Sequence, residues 1–189
     1  MKTVLVRDLM LALTEYATVS DEATLYDAIV ALDEAHAKSQ GYYGHRAVLV
    51  YDSEHRVIGK LGLFDMLMAL EDKYAQIGDL ERLSGLGLSP HFVKSIFNNF
   101  SFWSRPLDEV CAEAAKLPVS DIMHILTENE YIDESANLDE AIHQLIMGQW
   151  QSLIVTRGDE IIGILKLSDI FEEVSNRIRS HSVTQSIEG

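Results

Sequence analysis

Two aspartates occupy the same place in two related stretches of this chain. Asp65 follows Gly59 in Gly59-Lys60-Leu61-Gly62-Leu63-Phe64-Asp65, and Asp169 follows Gly163 in Gly163-Ile164-Leu165-Lys166-Leu167-Ser168-Asp169. Apolar residues at helical spacing come next: Met66, Leu67 and Leu70 in one copy, Ile170, Phe171 and Val174 in the other. A carboxylate at such a place can accept two hydroxyl hydrogen bonds, which suits a ribose diol. The free amides of the helix it opens favour a phosphate. Lys166 adds a point charge for that phosphate, and Gly62, at the matching position, lets a ligand approach the backbone. Asp169 with Lys166 is therefore the stronger ligand site of the two. The alternative is that both aspartates are only helix N-caps, worth about 1 kcal/mol each.

Other chemistries lack their residues. Gly85-Leu86-Gly87-Leu88 has neither the strand nor the lysine of a phosphate loop, and no HExxH or GxSxG pattern occurs. The seven histidines have no ligand spacing, and Cys111, the only cysteine, excludes a disulfide framework or a cysteine metal cluster. Cys111 reads as a residue that fills a helix face. No catalytic group is singled out, and the chain is expected not to be an enzyme.

Composition narrows the setting. A formal charge of -15 argues against a general nucleic-acid or anionic-membrane surface, so any phosphate ligand needs a local basic pocket. No stretch approaches the roughly 20 apolar residues of a spanning helix. Charge interrupts Met1-Lys2-Thr3-Val4-Leu5-Val6-Arg7-Asp8 too early for a secretory signal. These features lead to an expected cytoplasmic location.

The elements that must position the aspartates come from an internal repeat. Val6-Arg7-Asp8-Leu9-Met10 recurs as Val119-Ser120-Asp121-Ile122-Met123, and Ala47-Val48-Leu49-Val50-Tyr51 as Ser152-Leu153-Ile154-Val155-Thr156. Thr18-Val19 matches Tyr131-Ile132, and the Gly-to-Asp blocks above close each copy. Each copy predicts β-α-β-β-α. Leu25, Ala28, Ile29 and Leu32 make one helical stripe; Leu138, Ala141, Ile142 and Leu145 make the other. Thr24 before Asp27 and Asn137 before Glu140 have capping-box spacing. The β-branched runs that follow are strand pairs.

This repeat resembles the CBS domain, and two in tandem resemble a Bateman module. The resemblance covers residues 4 to 71 and 117 to 175. It implies an α/β (α+β) fold of two CBS repeats, 1–71 and 117–176, related by a pseudo-twofold and separated by a helical insertion, 72–116. A polar tail, 177–189, expected to fray from Ser180, would follow. It implies a regulatory module that binds an adenosine-type ligand, such as AMP or ATP, in a cleft between the repeats. In this family an aspartate takes the ribose hydroxyls, and a Thr or Ser three residues earlier helps hold ribose or phosphate. Both aspartates match, whereas Gly62 and Lys166 stand where the hydroxyls would be. By position the family's pocket would also be lined by His45, Arg46 and Thr18 in one copy, and by Gln151, Ser152 and Tyr131 in the other. Such modules often pair, which implies a homodimer and a downstream protein partner. A scaffold that binds no ligand is the alternative.

The insertion has no counterpart in the repeat. Ser89-Pro90 and Arg105-Pro106 place proline in first helical turns, which predicts two or three helices. Phe92, Val93, Ile96, Phe97, Phe100, Phe102 and Trp103 are too apolar to leave in water.

Overall fold

Each repeat forms the elements its pattern predicts. In the computed structural model, which describes residues 4–38, 47–71, 73–76, 95 and 103–185, the first copy gives β2 (Thr18–Ser20), α1 (Leu25–Lys38), β3 (Ala47–Tyr51), β4 (Val57–Gly62) and α2 (Leu63–Met68). The second gives β6 (Tyr131–Asp133), α6 (Leu138–Gly148), β7 (Ser152–Arg157), β8 (Glu160–Lys166) and α7 (Leu167–Gln185). Short strands precede them, β1 (Leu11–Ala12) and β5 (His124–Ile125). Between the copies lie α3 (Lys73–Gln76), α4 (Leu107–Ala114) and α5 (Val119–Ile122).

The chain divides into two compact units. One holds Thr18–Leu32 and the described chain from Ala47 to His124. Its sheet runs β2-β3-β4-β5, with β2 parallel to β3 and β3 antiparallel to β4. The other holds the described chain up to Ala17, α1 from Asp33, and the chain from Ile125. Its sheet runs β6-β7-β8-β1, with β6 parallel to β7 and β8 antiparallel to both its neighbours. Both sheets carry an irregularity at the matched step, Val50/Tyr51 and Val155/Thr156.

In each unit a leading segment from one repeat completes the sheet and helix of the other. Leu11 faces Ile164 and Ala12 faces Gly163 across β1 and β8. Val6 N donates to Ala136 O at 3.0 Å, and Leu138 N donates to Val4 O at 3.2 Å. In the other unit Val119 N donates to Ala23 O at 2.9 Å, and Leu25 N donates to Leu117 O at 2.9 Å. The first amides of α6 and α1, which have no partner inside their helices, are satisfied this way.

Thr24 and Asp27 form the expected cap, with Thr24 N donating to Asp27 Oδ2 at 2.9 Å. This bond, with that from the Thr24 hydroxyl, holds the Asp27 carboxyl below its ordinary pKa. Asn137 departs from expectation: it sits at the N-cap of α6, but its side chain makes no capping bond. The Val4 carbonyl already takes the first amide there.

The core of the second unit gathers Val6, Ile132, Leu138, Ala141, Leu145, Leu153, Val155, Leu165 and Ile170. In the first unit Val19, Leu25, Ala28, Leu32, Val48, Leu49, Val50 and Leu61 are buried. Ile29, assigned to the same stripe from sequence, is exposed instead. α7 runs on to Gln185, so Ser180 to Gln185 continue the helix where a frayed tail was expected; residues 186–189 lie outside the described residues.

Within the insertion, Pro106 is the N-cap of α4, one step before the expected helical position. Cys111 is exposed on α4 and does not fill a buried face. Trp103 is also exposed, contrary to expectation: its indole N–H donates to the Tyr74 hydroxyl at 3.2 Å and its backbone N–H to Glu71 Oε2 at 2.7 Å. Ser89, Pro90, Phe92, Val93, Ile96, Phe97, Phe100 and Phe102 lie outside the described residues.

Candidate functional site

The turn from β8 into α7 builds one candidate site. Lys166 is the last residue of β8 and stands opposite Ser152 of β7 in the ladder. A one-residue step along β8 turns a side chain to the other face, so Leu165 enters the core and Lys166 leaves it. Asp169 is the third residue of α7, because the helix begins at Leu167. The Lys166 ammonium lies 3.2 Å from Asp169 Oδ1, with the two side chains 14% and 25% exposed. The Ser168 hydroxyl donates to the same oxygen at 3.2 Å. Ser152 is buried.

Tyr16 completes this group. It is buried, follows the short 3-10 turn Leu13–Glu15 behind β1, and lies within reach of the Asp169 charge. Burial first, and then that carboxylate, push its phenol well above the ordinary tyrosine pKa. The phenol therefore keeps its proton as a hydrogen-bond donor.

The other unit arranges its matched residues differently. Asp65 is the third residue of α2 and accepts the Gly62 N–H at 2.8 Å. Gly62 is the N-cap, and Ala47 stands opposite it on β3. Burial raises the Asp65 carboxyl above its ordinary pKa; the Gly62 N–H and the charges of His124 and Lys60 offset part of that rise. His124 belongs to β5, beside β4.

Each aspartate is thus the third residue of its helix, in the first turn, and not the N-cap that the spacing suggested. Asp65 still serves the cap by reaching back to its amide. Thr18 is exposed at the start of β2, across from Leu49. His45 and Arg46 lie outside the described residues. Ser152, Lys166 and Asp169 are brought together; Tyr16 and His124 were missed. His124 directly follows the repeated Met123, at a position where the first copy has Leu11, and that change of type was its only signal. Tyr16 has no counterpart of its kind in the second copy, where Asn129 stands. Among the described residues, no group of His, Cys, Asp and Glu side chains could hold a metal ion, and no helix is long and apolar enough to cross a membrane.

The CBS domain model matches residues 6–72 and 118–176, and the chain belongs to the CBS domain family. No curated protein matches it in sequence. Among solved structures it is similar to CBSX2 in complex with AMP, at 21% identity and a TM-score of 0.56, over 91% of this chain and 97% of that one. It is also similar to the CBS domain of the bacterial CNNM/CorC family Mg2+ transporter in complex with ATP, at 19% identity and a TM-score of 0.56, over 91% of this chain and 87% of that one. Protein MJ1004 from Methanocaldococcus jannaschii gives 17% identity and a TM-score of 0.55 over 92% of this chain, which spans only 60% of that protein. At these identities the likeness shows the fold.

Proposed function

We propose that this chain is a regulatory module that binds an adenosine-type nucleotide, without catalysing a reaction on it. The observation that carries this is the Lys166–Asp169 pair at the head of α7, 3.2 Å apart and mostly buried. It places a carboxylate suited to a ribose diol next to a cation suited to a phosphate. Support also comes from similarity to two CBS structures that hold AMP and ATP. Binding would act by favouring one of two packings of the protein, which requires different affinity for each. With AMP, ADP, ATP, S-adenosylmethionine, NAD and guanine nucleotides tested in turn, one of the adenosine compounds at a hundredfold excess over its Kd is expected to add about 2.7 kcal/mol of stability. Thermal shift measures this, and Asp169→Ala should remove it. No response across the whole series would defeat the proposal in favour of a scaffold.

The module would act as a homodimer in the cytoplasm. Leu63 and Leu67 on α2 and their matches Leu167 and Phe171 on α7 are all exposed. Apolar residues left in water at matched positions suit a self-complementary twofold contact. Sedimentation of the intact chain should give a dimer, and Leu67→Glu with Phe171→Glu should give a monomer of unchanged helicity. A dimer that persists would place the contact elsewhere.

A further inference from the structure

The two copies satisfy their matched aspartates by different means. Asp65 accepts a backbone N–H from Gly62, a residue with no side chain to compete for the carboxylate. At the matched position Lys166 reaches Asp169 Oδ1 at 3.2 Å, and the Ser168 hydroxyl reaches the same oxygen at 3.2 Å. A carboxylate has about four acceptor positions, and a ribose diol needs two of them. One oxygen of Asp169 already serves a cation and a hydroxyl. Lys166 is held where it has little water, its side chain only 14% exposed. Withdrawing its carboxylate would leave an ammonium without compensation in a poorly solvated place.

We infer that Lys166 is an internal competitor for Asp169, so that this site admits a ribose only when the ligand also carries an anion to receive the ammonium. This rests on the proposal that a nucleotide binds at Asp169. A ribose diol that engages both carboxylate oxygens competes with the ammonium and the Ser168 hydroxyl for Oδ1, and a nucleoside gives nothing back to Lys166. A nucleotide exchanges one anion for another: the diol takes Asp169 and the phosphate takes Lys166. Ser152, which is buried, stands directly across the ladder from Lys166. Lys166 is thus a specificity residue that selects nucleoside phosphates over nucleosides. The loss of one charge-assisted hydrogen bond corresponds to about ten- to a hundredfold in affinity.

The test is calorimetric titration of the full chain with adenosine and with AMP. An Asp65→Asn background leaves only the Asp169 site to report, and the Asn oxygen can still accept from Gly62. The expected result is AMP tighter than adenosine by at least about tenfold. Lys166→Thr and Lys166→Gly, the second being the residue of the other copy, should tighten adenosine and bring the two ligands within about threefold. The inference is overturned if adenosine and AMP bind the Lys166 chain equally, a comparison that needs no Lys166 variant to fold. It is also overturned if adenosine binding is no tighter in both variants. A Lys166 chain that binds neither ligand, beside variants that gain adenosine, would defeat the nucleotide proposal while upholding the competition. Silence in all three proteins defeats both.

Discussion

Leu165→Ala is expected to destabilise the protein by about 2–5 kcal/mol. Leu165 has no exposed surface, sits on β8 opposite Leu153, and belongs to a cluster that joins Val6 of the leading segment to Leu138 and Leu145 of α6. Truncation removes the transfer energy of the lost methyls and leaves a void between a sheet and a helix that are both tied at their ends. α6 is tied by the Leu138 N–H on Val4 O, and β8 by ladders on both sides. The void has little room to collapse, which argues for the upper part of that range. Urea denaturation reads the change as a lower midpoint at a steady slope. Ile146→Ala is the control, since Ile146 is mostly exposed on the same helix and should change stability by no more than about 0.5 kcal/mol. A Leu165→Ala loss no larger than the control's would mean that this cluster is not a core.

Leu165 also marks what could be read in advance. Its place in a β-branched run and the helical stripe of Leu138, Ala141 and Leu145 are local patterns with periods of 2 and 3.6, and both copies displayed them. The strand pairs and the helices after them followed. Ile29 shows where period alone fails: it shares the helical stripe, yet only Leu25, Ala28 and Leu32 of that stripe are buried. The starts of α2 and α7 failed for another reason. Leu63, Phe64 and Leu167 are large apolar residues that look like strand continuations, so the helix appeared to begin at the aspartate. The Lys166–Asp169 pair was approachable, because the residue just before a helix lies beside the third residue of its first turn, the spacing of a capping box. Tyr16 was not: its position depends on β1 pairing with β8, a contact between residues as distant as Leu11 and Ile164, which no local pattern encodes.

The same long-range pairing gives the second large effect. Gly163→Ala is expected to cost about 1–3 kcal/mol by overpacking. A methyl built on Gly163 would lie 2.3 Å from the Leu11 carbonyl oxygen and 3.4 Å from Met10 Sδ. The first distance is far inside contact, and its partner is backbone already fixed by the β1–β8 ladder. A rotamer change cannot relieve it; β1 must move away, and with it the segment that brings Val6 to the core and Tyr16 to Asp169. Gly59 is the matched glycine of the other copy. There the added methyl would meet Met123 Sδ at 2.7 Å and the His124 carbonyl oxygen at 2.9 Å. Methionine is unbranched and can swing aside, and the backbone contact is looser by several tenths of an ångström. Gly59→Ala should therefore cost less than Gly163→Ala. Denaturation of the two variants side by side checks the order, and amide exchange at Ala12 should quicken in Gly163→Ala alone. Equal costs, or protected exchange at Ala12 in the Gly163 variant, would show that β1 tolerates the methyl and that the glycine is not what lets it approach.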